Sequence, residues 1–409
     1  MESGDGMKYI VLLGDGMADF PVPALEGKTP LEVAQIPTFD QLAREGDTGL
    51  VHTIPEGYPP GSDVANLCVM GYDPVAFYSG RSPLEAVSIG VPLEDGDITY
   101  RMNLVTVSDD EAFDQKTMID HSAGEITTEE ADQLVQSLNE TLPLAGNQIY
   151  TGTSYRHCLV VHGGATGADH TPPHDILEQA IGTYLPKGTQ AAYFTDLMEA
   201  SVAILKDHPV NQKRIAAGKR PANMAWFWGE GTKPALTPFK ELYGKTGGVV
   251  SAVDLLKGLG LAAGLEAPEV EGATGTLDTN YEGKLAAALD ILKNNDFVYM
   301  HFEGPDEAGH HGDPAEKIEA IERLDKRVLK PLMAKLAESG EDYHILLMPD
   351  HATPIVERTH TSNPIPFILY RSNQAPTHPA QGYSEKMAED TGYLIRHGHE
   401  LMAMLLAGA

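Results

Sequence analysis

The chain has 409 residues, 42% hydrophobic and 22% charged, values of a folded globular protein that exclude a mainly disordered one. Its 29 Lys and Arg against 59 Asp and Glu leave a formal charge of −30, so neither nucleic acid nor a membrane surface is an expected partner, and an anionic substrate must meet a local positive exception. Two cysteines, Cys68 and Cys158, exclude a disulfide framework and fit a reducing cytoplasm.

In chain order, the opening MESGDG is acidic and glycine-rich, the reverse of a signal peptide, and Met7 stands as an alternative start. Lys8–Gly14 (KYIVLLG) reads as a buried strand that stops at Asp15-Gly16. A helical pattern covers 38–45, and Pro59-Pro60-Gly61-Ser62-Asp63 reads as a loop. Residues 97–107 and 155–162 alternate as antiparallel strands do, with a helix at 127–142 opened by Thr-Thr-Glu-Glu. Segment 208–238, rich in Pro, Gly and basic residues, reads as a hinge or binding loop, with Trp226-Phe227-Trp228 packing a domain junction. Beyond it, helical patterns at 283–294 and 314–338 alternate with apolar strands at Phe297–Phe302, 344–348 and 366–370. Strands alternating with helices predict an α/β fold: a mostly parallel sheet with helices on both faces. The middle of the chain reads as an inserted, smaller α+β cap. The expected division is 1–95 and 215–409 for the core and 96–214 for the cap. Ligands of such sheets bind beyond the carboxyl ends of the strands.

Three of these strands run into acidic residues at that end: Asp15, Glu303 to Asp306, and Asp350. Histidines concentrate in the same stretch, as His301, His310, His311, His344, His351 and His360. Asp306 and His310 are four apart, on one face of a helical turn. Asp350 and His351 are adjacent at a strand end. Taken singly, each has a plainer reading as a cap, a turn or a surface pair, and Ser62 as a loop serine. Their convergence on one edge of one sheet favours a site. Asp and His oxygens and nitrogens suit two divalent transition cations better than Ca²⁺. A serine hydroxyl beside a dication becomes a nucleophile near neutral pH, and Ser62 is the candidate.

The order Gly14-Asp15-Gly16-Met17-Ala18-Asp19, Pro60-Gly61-Ser62-Asp63, Asp306-x-x-x-His310, Asp350-His351 and His360-Thr361 before Pro364-Ile365-Pro366 resembles the alkaline phosphatase superfamily. Within it the chain is similar to the 2,3-bisphosphoglycerate-independent phosphoglycerate mutases of the shorter, archaeal type. Supporting segments are Gly27 to Ala34, Ser79 to Ala86, Pro172-Pro173-His174-Asp175 and Trp226 to Gly229. The resemblance implies an alkaline-phosphatase-like core. It implies that Asp15, Ser62, Asp350 and His351 hold one metal and that Asp306, His310 and His360 hold the other. Ser62 corresponds to the phosphorylated nucleophile, and His311 to no ligand. Mn²⁺ is the first expectation, with Zn²⁺ or Mg²⁺ as alternatives, and no 2,3-bisphosphoglycerate is required.

The implied reaction moves phosphate between neighbouring oxygens of glycerate through phosphoserine, under a cap that excludes water. A small phosphorylated substrate in so acidic a protein needs fixed cations, and arginine's planar fork is preferred. Arg101, Arg156 and Arg214 are candidates in the middle of the chain, with Lys219 and Arg220 near by, and Arg156 and Arg214 are the first choices. Arg81 and Lys257 are candidates from the core, and His157, His174 and Asp175 are candidates for acid–base work. Three other readings compete: a homoserine-kinase-like phosphotransferase, a metallophosphatase, and a non-catalytic metal-binding protein. No P-loop pattern is present for ATP. Neither composition nor motif sets the oligomeric state.

Overall fold

The computed structural model describes residues 6–109 and 112–407. The opening segment therefore lies outside the described residues, except Gly6. The strands, in chain order, are β1 (Lys8–Gly14), β2 (Asp47–Val51), β3 (Ile98–Val107), β4 (Met118–Asp120), β5 (Gln148–Tyr150), β6 (Arg156–Val161), β7 (Ala168–Asp169), β8 (Lys187–Gly188), β9 (Met224–Thr232), β10 (Gly247–Val250), β11 (Phe297–Phe302), β12 (Tyr343–Met348), β13 (Ile365–Arg371) and β14 (Leu394–Ile395).

The chain forms two units. One runs up to Tyr78 and resumes at Ala235; the other is Ser79–Pro234. The boundaries fall at 78/79 and 234/235 rather than at the expected 95/96 and 214/215. Two elements explain the difference. Helix Ser82–Ser88 packs on β3, β6 and β9. Segment 224–232 is not a hinge but strand β9, paired antiparallel along β3 from Val105↔Met224 to Ile98↔Thr232. Trp226 and Phe227 are fully buried in the core of this second unit. Arg81 consequently belongs to the second unit.

The first unit is built on a seven-stranded sheet ordered β10-β11-β1-β12-β13-β2-β14. β1 is parallel to both β11 and β12, and it is buried from Tyr9 to Gly14, as a central parallel strand with both faces covered must be. Ile10 and Leu12 pack with helix Pro37–Glu45, helix Tyr281–Leu292 and the helical run from Pro314 to Ser339. That run, expected as one helix, carries a π-helical segment at Leu324–Leu329. Its Asp325 accepts hydrogen bonds from the backbone N–H groups of Thr38 and Phe39, capping a helix whose own N-cap, Ile36, has no side chain to do so. Helix Asp254–Ala262 packs on β10, and helix Glu400–Leu406 on β12.

One strand runs against expectation. β13 is antiparallel to β12 and to β2. Residues 349–364 contain no helix, so the chain doubles back directly; a parallel return would need a crossover connection.

The second unit is a five-stranded antiparallel sheet, β4-β3-β6-β5 with β9 on β3, plus the small β7–β8 pair. Helices Thr128–Thr141 and Ala191–Leu205 cover it through Leu134, Leu138, Phe194 and Leu197. Among the described residues, no helix is long and apolar enough to cross a membrane.

A candidate two-metal site at the strand ends

The site follows from strand register. Gly14 pairs with Phe302 and Leu13 with Met348, so β11, β1 and β12 end level with one another. Each chain then leaves the sheet through its acidic turn. After β11 the chain enters helix Gly304–His311 at once, and Asp306 and His310 lie one turn apart with Oδ2 to Nε2 at 3.2 Å. After β1 comes Asp15, followed by Gly16 at φ +60°. A Cβ at Gly16 would meet Asp306 Oδ1 and Thr353 Oγ1 at 2.5 Å, so only glycine lets the turn approach this closely. Ser62 is not a loop residue. It is the first residue of helix Ser62–Val69, after the extended Gly61.

The seven residues expected as metal ligands or nucleophile come together. Asp15, Asp350 and His351 form one group of converging donor atoms, and Asp306, His351 and His360 form another, so His351 lies between the two. Its Nε2 is 3.1 Å from Ser62 Oγ, 3.5 Å from Asp15 Oδ1 and 3.4 Å from Asp350 Oδ2. His360 Nε2 is 3.4 Å from Asp306 Oδ1 and 3.0 Å from His310 Nε2. His311 points elsewhere, at 57% side-chain exposure, towards Glu316 and Glu307.

The donor set suits divalent cations. It consists of carboxylate oxygens, imidazole nitrogens and a hydroxyl, with no thiolate. Asp15 Oδ1 is buried and has no hydrogen-bond partner. Burial first, then Asp350, Asp306 and Glu303, push the Asp15 carboxyl well above its usual range. A cation relieves such crowding of buried negative charge. Burial works against the Asp306 carboxylate too, but hydrogen bonds from His310 and His360 hold it well below the usual range. The Asp306 hydrogen bond in turn raises His310 to about 9.

Behind these groups stands a layer of supporting residues that the motifs did not reveal. His301 Nε2 lies 2.8 Å from Asp15 Oδ2, and its Nδ1 is 3.1 Å from Ser251 Oγ. Burial lowers the His301 pKa to about 3, so the ring is neutral, and its Nε2–H donates to Asp15. Thr353 Oγ1 donates to Asp306 Oδ1 and sits 3.3 Å from His351 Nδ1. That pairing assigns the proton of His351 to Nδ1 and leaves Nε2 as an acceptor facing Ser62. Asn66 Nδ2 donates to Asp350 Oδ2 at 2.8 Å. Lys317, fully buried, donates to Asp19 Oδ2, Ala18 O and Thr353 O at 2.8, 3.1 and 2.8 Å.

The second unit carries a cluster of cationic and aromatic groups. Arg101 stacks on Trp228 at 4.0 Å and pairs with Glu85 at 2.9 Å, while Arg81 pairs with the other oxygen of Glu85 at 2.8 Å. Burial opposes the Glu85 charge, but Arg101, Arg81 and Arg156 together lower its pKa. Arg156 stacks on Tyr155 at 4.3 Å and is exposed. His174 meets Trp228 edge-on at 5.4 Å and His121 at 6.0 Å, and exposed Asp175 lies 3.6 Å from its Nε2.

Three expectations are corrected. Arg214 is only 2% exposed and donates to Glu130, Ala123 O and Arg220 O, so it ties helix Pro209–Ala216 to its surroundings and offers no fork to a ligand. Lys257 engages Glu269 at 2.8 Å and Asp254 at 3.3 Å, so its ammonium is already paired with two carboxylates. His157 is buried, its Nδ1 accepts from Gly152 N at 3.2 Å, and burial lowers its pKa to about 3, so it is no general acid near neutrality.

A mostly parallel sheet with paired oxygen–nitrogen donor groups and a helix-borne serine at its strand ends defines a metal-dependent phosphoryl-transfer protein of alkaline-phosphatase-like fold. Residues 43–211 match the family model of 2,3-bisphosphoglycerate-independent phosphoglycerate mutase, and residues 182–368 match that of type I phosphodiesterase / nucleotide pyrophosphatase. The chain is 48% identical over 402 residues to the 2,3-bisphosphoglycerate-independent phosphoglycerate mutase of Methanothrix thermoacetophila, covering 98% of this chain and 100% of that one. It is also 48% identical to a probable member from Geobacter sulfurreducens, with 98% and 100% covered. Among solved structures, a Pyrococcus horikoshii protein superposes with a TM-score of 0.79 at 28% identity, over 98% of this chain and all of the other. The cofactor-independent phosphoglycerate mutase of Thermoplasma acidophilum gives 0.65 at 25% identity, over 98% and 99%. The chain belongs to the 2,3-bisphosphoglycerate-independent phosphoglycerate mutase family.

Proposed function

We propose that this enzyme interconverts 3-phosphoglycerate and 2-phosphoglycerate through a phosphoserine at Ser62, without 2,3-bisphosphoglycerate. The observation that carries this reading is the meeting, in a member of this family, of Ser62 Oγ with His351 Nε2 at 3.1 Å beside both donor groups. Asp15, Ser62, Asp350 and His351 are the proposed ligands of one cation and Asp306, His310 and His360 of the other, with His351 close enough to serve either. Bound there, two divalent cations, Mn²⁺ first and Zn²⁺ or Mg²⁺ as alternatives, offset charge on the phosphoryl oxygens and ease loss of the serine proton.

The chain's own groups do the rest. Ser62 Oγ lies 3.1 Å from His351 Nε2, so the serine oxygen and the imidazole lone pair converge beside the carboxylates of Asp15 and Asp350, where a shared cation would hold both. Attack forms the Ser62 Oγ–P bond and breaks the bond between phosphorus and the glycerate oxygen, and the serine proton ends on that oxygen. The reverse step, from the neighbouring oxygen of the same glycerate, restores Ser62. Charge and proton balance over the cycle, and no nucleotide is consumed.

In the second unit, Arg156 and His174 are the proposed contacts for the anionic metabolite. Arg156 has no carboxylate ion-pair partner among the described residues, whereas the half-buried carboxylate of its cluster, Glu85, is engaged by both Arg81 and Arg101. An ammonium-bearing acceptor such as homoserine would need a free buried carboxylate there, so glycerate is the better fit. The proposed setting is cytoplasmic.

The test is a coupled assay on Mn²⁺-loaded protein with 3-phosphoglycerate and enolase, and with Ser62→Ala as control. Phosphoenolpyruvate from the wild type alone is expected. Free phosphate without phosphoenolpyruvate would replace the mutase with a phosphatase; product only from homoserine and ATP would replace it with a kinase.

A further inference from the structure

Ser62 and Asp350 are 288 positions apart in sequence, yet phosphoryl transfer needs nucleophile and ligand carboxylate held in one geometry. Asn66 lies one helical turn after Ser62, on the same face of helix Ser62–Val69, and side chains on a helix lean back towards its N-terminus. Its amide nitrogen reaches two acceptors, Ser62 O at 2.8 Å and Asp350 Oδ2 at 2.8 Å. Its carbonyl oxygen accepts from the Tyr299 hydroxyl at 2.6 Å, on strand β11. Asn66, Tyr299 and Asp350 are all fully buried.

This network has one orientation. A flipped amide would set its carbonyl against two pure acceptors, Ser62 O and the Asp350 carboxylate, a clash that rotation of the Tyr299 hydroxyl cannot relieve. The remaining oxygen of Asp350, Oδ1, accepts from Gly16 N at 3.1 Å and His351 N at 2.9 Å. With Oδ1 filled by two backbone donors and Oδ2 by one amide, a single lone-pair direction of Oδ2 remains for a cation.

We propose that Asn66 is a positioning residue: oriented by Tyr299, it clamps the start of the nucleophile helix to Asp350 and thereby selects the lone pair with which Asp350 meets its metal. This rests on the two-metal phosphoserine reading above and assigns it a support that the ligand motifs do not contain. The clamp acts on one donor group only. None of the three hydrogen bonds of the Asn66 side chain reaches Asp306, His310 or His360.

The experiment titrates Mn²⁺ calorimetrically into metal-stripped, full-length wild type, Asn66→Leu and Tyr299→Phe, with coupled-assay kinetics alongside. Leucine has a similar shape and no donor. In Asn66→Leu one Mn²⁺ equilibrium should weaken about tenfold or more while the other stays within about threefold, the range seen when residues supporting ligands are removed. The kcat should fall by about ten- to a hundredfold with KM within about threefold. Tyr299→Phe, which removes one oxygen and keeps the packing, should weaken the same equilibrium by a smaller factor. Equal weakening of both equilibria, or of neither, overturns the proposal. If Asn66→Leu does not fold, Tyr299→Phe decides: the same single equilibrium weakened supports the clamp, and unchanged binding overturns it. Wild type that binds Mn²⁺ but makes no phosphoenolpyruvate would overturn the mutase reading instead, and the titration would still judge Asn66.

Discussion

Lys317→Met removes one half of a fully buried ion pair, whose side chains are 0% exposed on both sides at 2.8 Å. At an effective dielectric of about 20, the gross attraction over that distance is about 6 kcal/mol. Burial nevertheless lowers the Lys317 pKa despite Asp19 beside it, so desolvation consumes that attraction and the pair is near break-even. Removing one partner differs from removing both. Lys317→Met leaves the Asp19 carboxylate buried with only the N–H groups of Phe20 and Ile355, and the expected loss is about 3–5 kcal/mol. Asp19→Asn should cost a similar amount, because it leaves the buried ammonium with neutral carbonyl acceptors and no paired carboxylate. The double variant should recover at least about 2 kcal/mol relative to the sum of the singles. Urea unfolding followed by far-UV circular dichroism measures all three. A Lys317→Met variant within about 1 kcal/mol of wild type, or a double variant equal to the sum, would refute the reasoning. The pair also bears on the site: Ala18 and Thr353, whose carbonyls Lys317 holds, lie three residues after Asp15 and two after His351. Weaker Mn²⁺ binding should therefore accompany the single variant.

Burial lowers His157 from 6.5 to about 3, so its contribution to stability is complete above pH 6.5 and is lost as pH falls from there towards 3, by about 4–5 kcal/mol in all. His157→Gln should flatten unfolding free energy across that window and leave it unchanged above pH 7; an equally steep acid limb in the variant would refute this. Arg214→Ala strips the donors from Ala123 O, Arg220 O and Glu130, and should cost about 2–3 kcal/mol in urea with KM unchanged, whereas Arg156→Ala should raise KM about tenfold or more with the unfolding midpoint unchanged. An exchange of these two outcomes would restore Arg214 as the ligand contact. EDTA should abolish turnover and Mn²⁺ restore it, while Ser62→Ala should bind Mn²⁺ with little loss and remain inactive; activity in a demonstrably metal-free protein would remove the metals from the mechanism.

Much of the core and its site is written locally in the chain. A short apolar run closely followed by an acid is a signal contained in seven or eight consecutive residues, and it appears at Lys8–Asp15, Phe297–Glu303 and Tyr343–Asp350. The four-residue step from Asp306 to His310 needs only helix geometry. Because parallel neighbours end level, such local signals are enough to place Asp15, Asp306, Asp350 and His351 at one edge. Ser62 and His360 stood out only as a serine in a Pro-Gly loop and as one of a run of histidines, and the resemblance to a known family gave them their expected roles.

What the sequence alone did not reveal depends on partners far along the chain. The segment around Trp226 is rich in turn formers on both sides, and only its pairing with β3 makes it a strand. Strand β13 has the same apolar look as its parallel neighbours, and the helix-free connection before it sets its direction. Arg214 carries the same charge as Arg156, yet burial against Glu130 and two carbonyls makes one structural and leaves the other exposed. Asn66 reaches Tyr299 across 233 residues, His301 reaches Asp15 across 286, and Lys317 reaches Asp19 across 298. A motif states which groups stand ready to react. Which buried polar side chain holds each of them is a matter of desolvation, where a group must find its partner among whatever the completed fold brings beside it.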